Sequence, residues 1–220
     1  MAEESSQTLK ITEQSRVKRG RLRASYDRAL INAIIDEAMV AYLGLVMDGR
    51  PFVLPTSHWR EGDRIYWHGA ASGRMTAGVV GQPVCLTFTI LDGLVLARSA
   101  FHHSVNYRSA MLFGKPELVT DPQEKARQLE IFIERIAPGR WPELRPMQDK
   151  EVKATGIMSM PIDEGSAKVR AAPPGDDEED YTWPVWAGVV PLQRQWGELE
   201  PCPRLDGEYA EPTMVDNWIS

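Results

Sequence analysis

The sequence has few of the features that define disulfide-rich, nucleic-acid-binding or membrane-spanning proteins. Its 220 residues include only two cysteines, Cys85 and Cys202, and no C-x-x-C pair, which excludes a disulfide framework or zinc ribbon and predicts two reduced, buried thiols. Because 31 acidic residues outnumber 25 basic ones, the net charge of −6 disfavours a nucleic-acid partner. No apolar run reaches the roughly 18 residues of a transmembrane helix, and no signal-peptide pattern begins the chain, so we expect a cytoplasmic protein with no membrane partner.

Motifs of the common enzyme classes are also missing. The sequence contains no G-x-S-x-G, no H-E-x-x-H, no Walker A loop and no G-x-G-x-x-G after a strand, which argues against hydrolase and nucleoside-triphosphatase functions. Two adjacent histidines, His102 and His103, would point to opposite faces of a strand, so this pair predicts no metal site. The acidic run over 176–180 reads as a solvated loop.

The hydropathy pattern predicts one domain over residues 25–195. Residues 1–24 are polar and basic without apolar periodicity and are expected to form a flexible arm, and residues 196–220 form a tail. Apolar residues at helical spacing predict a helix over 26–39 with Ser25 as its N-cap. A short helix is predicted near 74–80, and a third begins after Asp121 and ends near Ile136.

Short alternating runs bounded by Asp-Gly and Gly-rich turns predict antiparallel strands between these helices. The predicted strands are 41–47, 51–59, 64–68, 84–91, 95–101, 108–119 and 156–162. The Asp92-Gly93 pair is expected to close a hairpin. About six strands with few helices make the fold mainly β with flanking helices, arranged as a small barrel.

Two segments carry groups suited to a phosphate. In 66–75, small residues precede a helix start, where free N–H groups, Ser72 and Arg74 would hold an anion; a tight structural turn is the alternative. In 102–109, Tyr107, Arg108 and Ser109 would bind the same phosphate from a second side. A polar hairpin without a ligand is the alternative.

A third segment, 182–191, is shaped like a short strand and contains two tryptophans, Trp183 and Trp186. A tryptophan brings a large apolar area and an N–H donor that needs a partner. This segment therefore suits a planar ligand or a subunit interface, and core packing is the alternative.

The order of four motifs resembles the pyridoxamine 5′-phosphate oxidase-like flavin-binding proteins, and among them the nitroimidazole-resistance branch. The motifs are Leu54-Pro55-Thr56-Ser57, Trp67-His68-Gly69-Ala70, His103-Ser104-Val105-Asn106-Tyr107-Arg108-Ser109 and Trp186-Ala187-Gly188-Val189-Val190-Pro191. The resemblance covers about residues 20–195. It implies a six-stranded antiparallel split β-barrel, the FMN-binding split barrel, and a homodimer with two FMN molecules at the subunit interface.

The resemblance also implies a set of FMN-binding residues. Those along the isoalloxazine ring would be Pro55, Thr56, Ser57, His68, Gly69 and Ala70. Those around the phosphate would be Ser72, Arg74, Tyr107, Arg108 and Ser109, with Met75 where relatives carry a basic residue. Those contributed by the C-terminal part would be Lys168, Arg170, Trp183 and Trp186.

The flavin itself carries the chemistry in such proteins, so no dedicated acid or base is required. His68 is the catalytic candidate because its imidazole titrates near neutral pH beside the expected ring; a purely structural hydrogen bond is the alternative. The sequence thus predicts an FMN-dependent oxidoreductase acting on a small molecule, with NAD(P)H as a candidate donor. A non-catalytic flavin- or haem-binding protein is the alternative, and pyridoxamine phosphate oxidation is disfavoured because no basic substrate pocket is found.

Overall fold

The computed structural model describes residues 7–207 and 209–212, with the backbone alone for Arg74 and Met75. These residues form eleven strands and four α-helices. The strands are β1 (Ala24–Ser25), β2 (Ala41–Met47), β3 (Arg50–Thr56), β4 (His58–Glu61), β5 (Arg64–Ala70), β6 (Val84–Leu96), β7 (Ser104–Gly114), β8 (Glu117–Leu118), β9 (Thr155–Pro161), β10 (Glu164–Arg170) and β11 (Gly188–Pro191). The helices are α1 (Arg28–Glu37), α2 (Arg74–Val79), α3 (Pro122–Ile136) and α4 (Asp149–Ala154).

The larger antiparallel sheet has seven strands, in the order β1-β10-β7-β6-β2-β3 with β11 also paired to β6. Side chains alternate between its two faces, as the pleat requires. On the inner face Leu43, Leu86 and Phe88 are buried in the main core. On the outer face Tyr42 and Met111 are exposed. One face of this sheet is therefore covered within the chain and the other is open.

The smaller antiparallel sheet has the order β4-β5-β9-β8, and both of its faces are covered. Ile65 and Trp67 of β5 enter the main core. Tyr66 lies on the opposite face, in a second cluster with Trp59 and with Phe132 of α3. This alternation directs the even-numbered residues of β5 towards α3.

The chain passes from the larger sheet to the smaller one at Ser57. The predicted single strand over 51–59 is therefore wrong: β3 ends at Thr56 in one sheet and β4 begins at His58 in the other. The buried His58 ring fixes this crossing, because Nε2 lies 2.8 Å from the Ile35 carbonyl oxygen of α1. Burial lowers the pKa of His58 to about 4, so the imidazole is neutral at neutral pH.

The helix starts follow capping chemistry. The Asp27 carboxylate accepts a hydrogen bond from the Leu30 amide at 2.7 Å, so Asp27 is the N-cap of α1 and the expected Ser25 cap is wrong. Asp121 caps α3 as predicted, with Pro122 as its first residue. The α2 helix also follows the prediction, and α4 was not foreseen.

Three predicted strand boundaries are wrong in the middle of the chain. Asp92-Gly93 does not close a hairpin, because β6 continues through it with a bulge between Leu91 and Gly93. A Cβ on Gly93 would lie 2.7 Å from the Val190 oxygen, so β11 needs a glycine there. The strand expected over 95–101 is the last part of β6, which ends at Leu96. The strand expected over 108–119 is two strands: β7, which begins earlier, at Ser104, and the separate β8.

Residues 7–24 are attached to the domain, which differs from the expected flexible arm. The Leu9 side chain is buried, and its amide donates to the Tyr26 carbonyl at 2.9 Å. The Lys10 amide donates to the Asp163 carbonyl at 2.8 Å. Burial of one leucine and these backbone bonds hold the segment in place although its charge pattern suggests disorder.

The expected fold class, mainly β with flanking helices and a split barrel, is confirmed. The expected count of six strands is not, since the part of the chain described here has eleven. The unforeseen β10 has the polar sequence EGSAKVR, without a clear apolar alternation. Both cysteines are free, and Cys202 is exposed rather than buried. No helix among the described residues is long and apolar enough to cross a membrane.

Candidate functional site

A cavity of about 400 Å³ lies where β5, α3 and the segment 141–155 meet; we call it the His68 cavity. Its lining is His68, Leu129, Phe132, Ile133, Trp141, Leu144, Arg145, Met147, Glu151 and Thr155. Six of these ten side chains are apolar, and the polar ones are one imidazole, one threonine hydroxyl and one ion pair. A volume of this size and a lining with few polar groups are typical of cofactor sites.

The strand alternation of β5 places His68 in this cavity. The His68 ring centroid lies 4.6 Å from that of Phe132 and 6.1 Å from that of Trp59. Its Nδ1 atom is buried and has no hydrogen-bond partner among the described residues. Burial lowers the pKa of His68, which favours the neutral imidazole at neutral pH. A neutral imidazole with an unpaired buried nitrogen is suited to ligating a metal or to bonding a ligand.

An ion pair between Arg145 and Glu151 forms the charged part of the cavity lining. The Arg145 hydrogen bonds lower the pKa of Glu151 to about 2, so the carboxylate is ionised at neutral pH. The Glu151 carboxylate also accepts from the Gln148 amide at 2.9 Å, in the capping box that begins α4. This capping interaction positions Glu151, and through it Arg145, in the cavity lining.

Several predicted flavin-site residues lie on the outer face of the larger sheet instead. Lys168 of β10 is paired with Ser109 of β7. The Tyr107 side chain lies on the same face of the sheet as Ser109, because alternate residues of a strand point to the same side. Pro55 of β3 pairs with the exposed Tyr42 of β2. The register therefore brings a lysine, a hydroxyl group and apolar side chains to one open surface.

Arg108 is not brought to that surface. It lies between Tyr107 and Ser109 in β7 and pairs with the buried Ile90, so its side chain leaves the inner face. Its guanidinium donates to Asp92, at 2.7 Å and 3.0 Å, and binds Glu37 at the end of α1. These hydrogen bonds raise the pKa of Arg108, and Arg108 lowers the pKa of Asp92. In this structure Arg108 links α1 to β6.

Arg170 is likewise committed to the protein. Its guanidinium donates to the Asn106 side chain and to the carbonyl oxygens of Ala172 at 2.9 Å and Pro173 at 3.1 Å. These bonds hold the chain where it leaves β10. Thr56 and Ser57 lie at the crossing between the sheets, where the Thr56 hydroxyl donates to the Ser57 carbonyl at 3.2 Å.

The predicted turn after β5 has the expected shape. Gly69 and Ala70 end β5 opposite Gly156 and Thr155. Ser72 is exposed, and Gly73 rather than Ser72 is the N-cap of the six-residue α2. The side chains of Arg74 and Met75 lie outside the described part of the structure, so their expected phosphate contacts stay predictions.

Trp183 and Trp186 are not core residues, because their exposed fractions are 66% and 64%. Both precede β11, which pairs with β6. Large exposed aromatic side chains of this kind favour the ligand or interface interpretation over core packing.

His68 is on the α3 side of the smaller sheet, and the main core lies between it and the outer face of the larger sheet.

Most of the residues that line the His68 cavity were not predicted from the sequence. Phe132, Trp141, Arg145, Met147 and Glu151 were not singled out, although all line it. Two signals were available: the apolar residues of α3 spread over more than one stripe, and a glutamate follows Gln148 by three residues, as in a capping box. A separate cavity of about 490 Å³ beside α2 contains no predicted site residue.

The chain matches one protein-family model and is similar to several solved structures. The family model of pyridoxamine 5′-phosphate oxidase matches residues 27–169. No curated protein matches the chain.

Two solved structures are similar over nearly the whole chain. The flavocytochrome Anf3 from Azotobacter vinelandii is 45% identical, covers 94% of this chain and 96% of its own, and superposes with a TM-score of 0.90. The FAD and haem binding protein from Mycobacterium smegmatis is 34% identical, covers 89% and 96%, and has a TM-score of 0.84. A 5-nitroimidazole antibiotic resistance protein from Bacteroides thetaiotaomicron is 27% identical over 66% of this chain and 86% of its own, with a TM-score of 0.55.

Proposed function

Because the chain belongs to the pyridoxamine 5′-phosphate oxidase family, we propose that it is an oxidoreductase that binds both a flavin and a haem. The carrying observation is the His68 cavity, whose buried imidazole nitrogen has no partner among the described residues. The two relatives with the greatest coverage given above are a flavocytochrome and a FAD and haem binding protein, and they support the same pair of cofactors.

The residues of the His68 cavity fit a haem. His68 would ligate the iron, because a histidine must be neutral to do so and burial lowers its pKa. Leu129, Phe132 and Ile133 would pack against the porphyrin. Arg145 bonds Glu151 and Pro146 through its two terminal nitrogens and, unlike Arg108, would offer its Nε to a propionate. This role for His68 replaces the expected one beside the flavin ring, since the main core separates His68 from the outer face.

The outer face of the larger sheet fits a flavin shared between two copies of the chain. Lys168 and Ser109 supply a positive charge and a hydroxyl for a phosphate. Tyr42, Val53 and Met111 leave apolar area exposed around them. A second copy would cover this area, so a homodimer is part of the proposal.

The flavin is proposed to be FAD, in place of the expected FMN. The 34% identical relative binds FAD and haem and spans almost the same length. In addition, Arg108, the guanidinium expected at the FMN phosphate, binds two carboxylates in this structure. The flavin supplies hydride chemistry and the haem supplies one-electron chemistry when bound, with reduced nicotinamide as the proposed donor. The protein orients both cofactors, and the apolar side chains of the His68 cavity would contact the haem.

The experiment that tests this proposal is cofactor analysis of the purified protein, supplied with haem and flavin precursors during expression. We expect one haem and one flavin per chain by absorption, with a released flavin of the mass of FAD. A released flavin with the mass of FMN would show that the cofactor is FMN, as the family resemblance implies. Absence of haem at full flavin occupancy would contradict the proposal. Flavin reduction by NADH or NADPH, followed in the same sample, separates the oxidoreductase from a non-catalytic binding protein.

A further inference from the structure

Two features that the cofactor sites do not use come together in the fold. His102 ends the short 3₁₀ turn Ala100–His102, and Asp177 and Asp180 belong to the acidic run at a later 3₁₀ turn, Glu178–Thr182. The His102 Nε2 atom lies 3.9 Å from Asp177 Oδ1. The potential ligand atoms of His102, Asp177 and Asp180 all lie within 4.8 Å of one another.

The acidic run is clamped to this position on both sides. Before Asp177, the fully buried Asp176 carboxylate accepts from the Arg98 amide at 2.8 Å and from its guanidinium at 2.9 Å. After Asp180, the Tyr181 ring lies 4.8 Å from the same guanidinium. Asp176 and Tyr181 thus hold Arg98, whose Nε atom has no hydrogen-bond partner among the described residues. These contacts keep the run against the segment that carries His102.

The imidazole of His102 is oriented by a second contact. Its Nδ1 atom lies 2.9 Å from the Ser99 hydroxyl, which leaves Nε2 directed at Asp177. A metal-bound histidine commonly uses its other ring nitrogen for such a bond. The 3.9 Å separation from Asp177 is too long for a hydrogen bond, and binding of one ion at about 2.0–2.2 Å from each atom would draw the two side chains closer together.

The two carboxylates of this cluster have no lysine or arginine partner among the described residues. The neighbouring Arg98 pairs with Asp176 instead. His103, beside His102, faces elsewhere, since its Nδ1 lies 2.8 Å from the Ser99 carbonyl oxygen. Two carboxylates and one imidazole thus converge without a cation of the protein between them.

We propose that His102, Asp177 and Asp180 bind one divalent transition-metal ion, of the Zn²⁺ or Mn²⁺ type. An imidazole with two carboxylates suits such ions, whereas Ca²⁺ and Mg²⁺ prefer all-oxygen sites. Three protein ligands leave at least one coordination position for water or a small anionic ligand. The site uses none of the residues proposed for haem or flavin binding.

The test is isothermal titration of Zn²⁺ into the chelator-treated, cofactor-loaded protein. We expect about one high-affinity ion per chain, with an affinity lowered about tenfold or more in His102→Ala and in Asp177→Asn. The matched controls are His103→Ala, the neighbouring histidine, and Glu178→Gln, which removes one charge from the same acidic run. Both controls should bind Zn²⁺ like the unmodified protein.

Three results would overturn the proposed site. The first two are no Zn²⁺ binding by the unmodified protein and unchanged Zn²⁺ binding by His102→Ala. The third is an equal loss of Zn²⁺ affinity in Asp177→Asn and Glu178→Gln, because this would indicate general attraction by the acidic run. Circular dichroism and flavin content are measured on every variant. If Asp177→Asn does not fold, Asp180→Asn replaces it with the same expected loss. A parallel Ca²⁺ titration should show weaker binding that does not depend on His102.

Discussion

The His68 cavity is walled by strands, a helix and a loop segment of one chain, whereas the outer face of the larger sheet is a surface open to solvent. At the cavity, alternation along β5 sends Tyr66 and His68 under α3. At the outer face, the same alternation leaves Tyr42 and Met111 without a cover. One chain therefore provides most of a pocket in the first case, and in the second it would provide one wall of the proposed flavin site.

The largest expected effect concerns the packing beside the cavity. Trp59→Ala should lower the free energy of unfolding by about 3–5 kcal/mol, because it removes a fully buried indole and leaves the Gln128 oxygen without its 2.6 Å donor. Trp186→Ala is the matched control, since that indole is exposed and should change the same quantity by less than about 1 kcal/mol. Urea unfolding measures both, and equal losses would abolish the distinction between the two regions.

Acid is expected to have the next largest effect, through His58 at the crossing between the two sheets. The pKa of His58 is lowered to about 4 by burial, with Arg135 lowering it further and Asp36 opposing this. Between pH 6.5 and 4 the unfolded chain binds a proton that the folded chain does not, so stability falls as the pH falls, by about 2–4 kcal/mol. His68 shifts in the same direction.

The check is urea unfolding of the flavin- and haem-free protein at pH 7 and at pH 4.5. His58→Gln, which keeps a donor for the Ile35 carbonyl but does not titrate, should reduce the loss of stability between the two pH values. The exposed His103→Ala should leave the loss unchanged. A His58→Gln protein with the full loss would show that other groups cause it.

A smaller effect is expected at the outer face. Met111→Glu should raise the dissociation constant of the proposed dimer by about tenfold or more, because a twofold interface buries the new charge twice. Leu118→Glu is the control: both side chains are 40% exposed, but Leu118 lies on β8 of the smaller sheet. Sedimentation over a concentration series decides, and equal shifts in the two variants would remove the outer face as the interface.

The smallest effect concerns the charged lining of the cavity. Arg145→Ala should weaken haem binding by about three- to tenfold, as loss of one solvent-accessible charged contact. Arg140→Ala, which breaks a nearby ion pair with Glu143 outside the cavity lining, should leave haem binding unchanged. Haem titration of the two variants compares them, and identical affinities would exclude Arg145 as a propionate partner.

Local patterns predicted much of the fold. Spaced apolar residues located α1, Asp121 marked the start of α3, and alternation located β2 with its correct bounds. Long-range packing overrode local signals elsewhere. The Asp92-Gly93 pair is a strong turn signal, but β11 pairs alongside β6 there and keeps the strand continuous. The polar β10 is a strand because it lies between β1 and β7.

The candidate site was predicted less well. The motif order led to the family and to Ser109 and Lys168, which the register brings together. The sequence already contained a reason to separate Arg108 from Ser109, since neighbours in a strand face opposite sides. Local signals pointed to parts of the His68 cavity, but its full lining was not predicted, because Trp141 and Arg145 join His68 there only through tertiary packing.

Replacement of His68 tests the central claim most directly. We expect His68→Gly to lose haem while it keeps flavin, and free imidazole added with haem to restore binding in the vacated space, as judged by the haem absorption spectrum. His103→Gly serves as the control and should keep both cofactors without imidazole. Haem bound to His68→Gly at full occupancy and with an unchanged spectrum, in the absence of imidazole, would contradict the account.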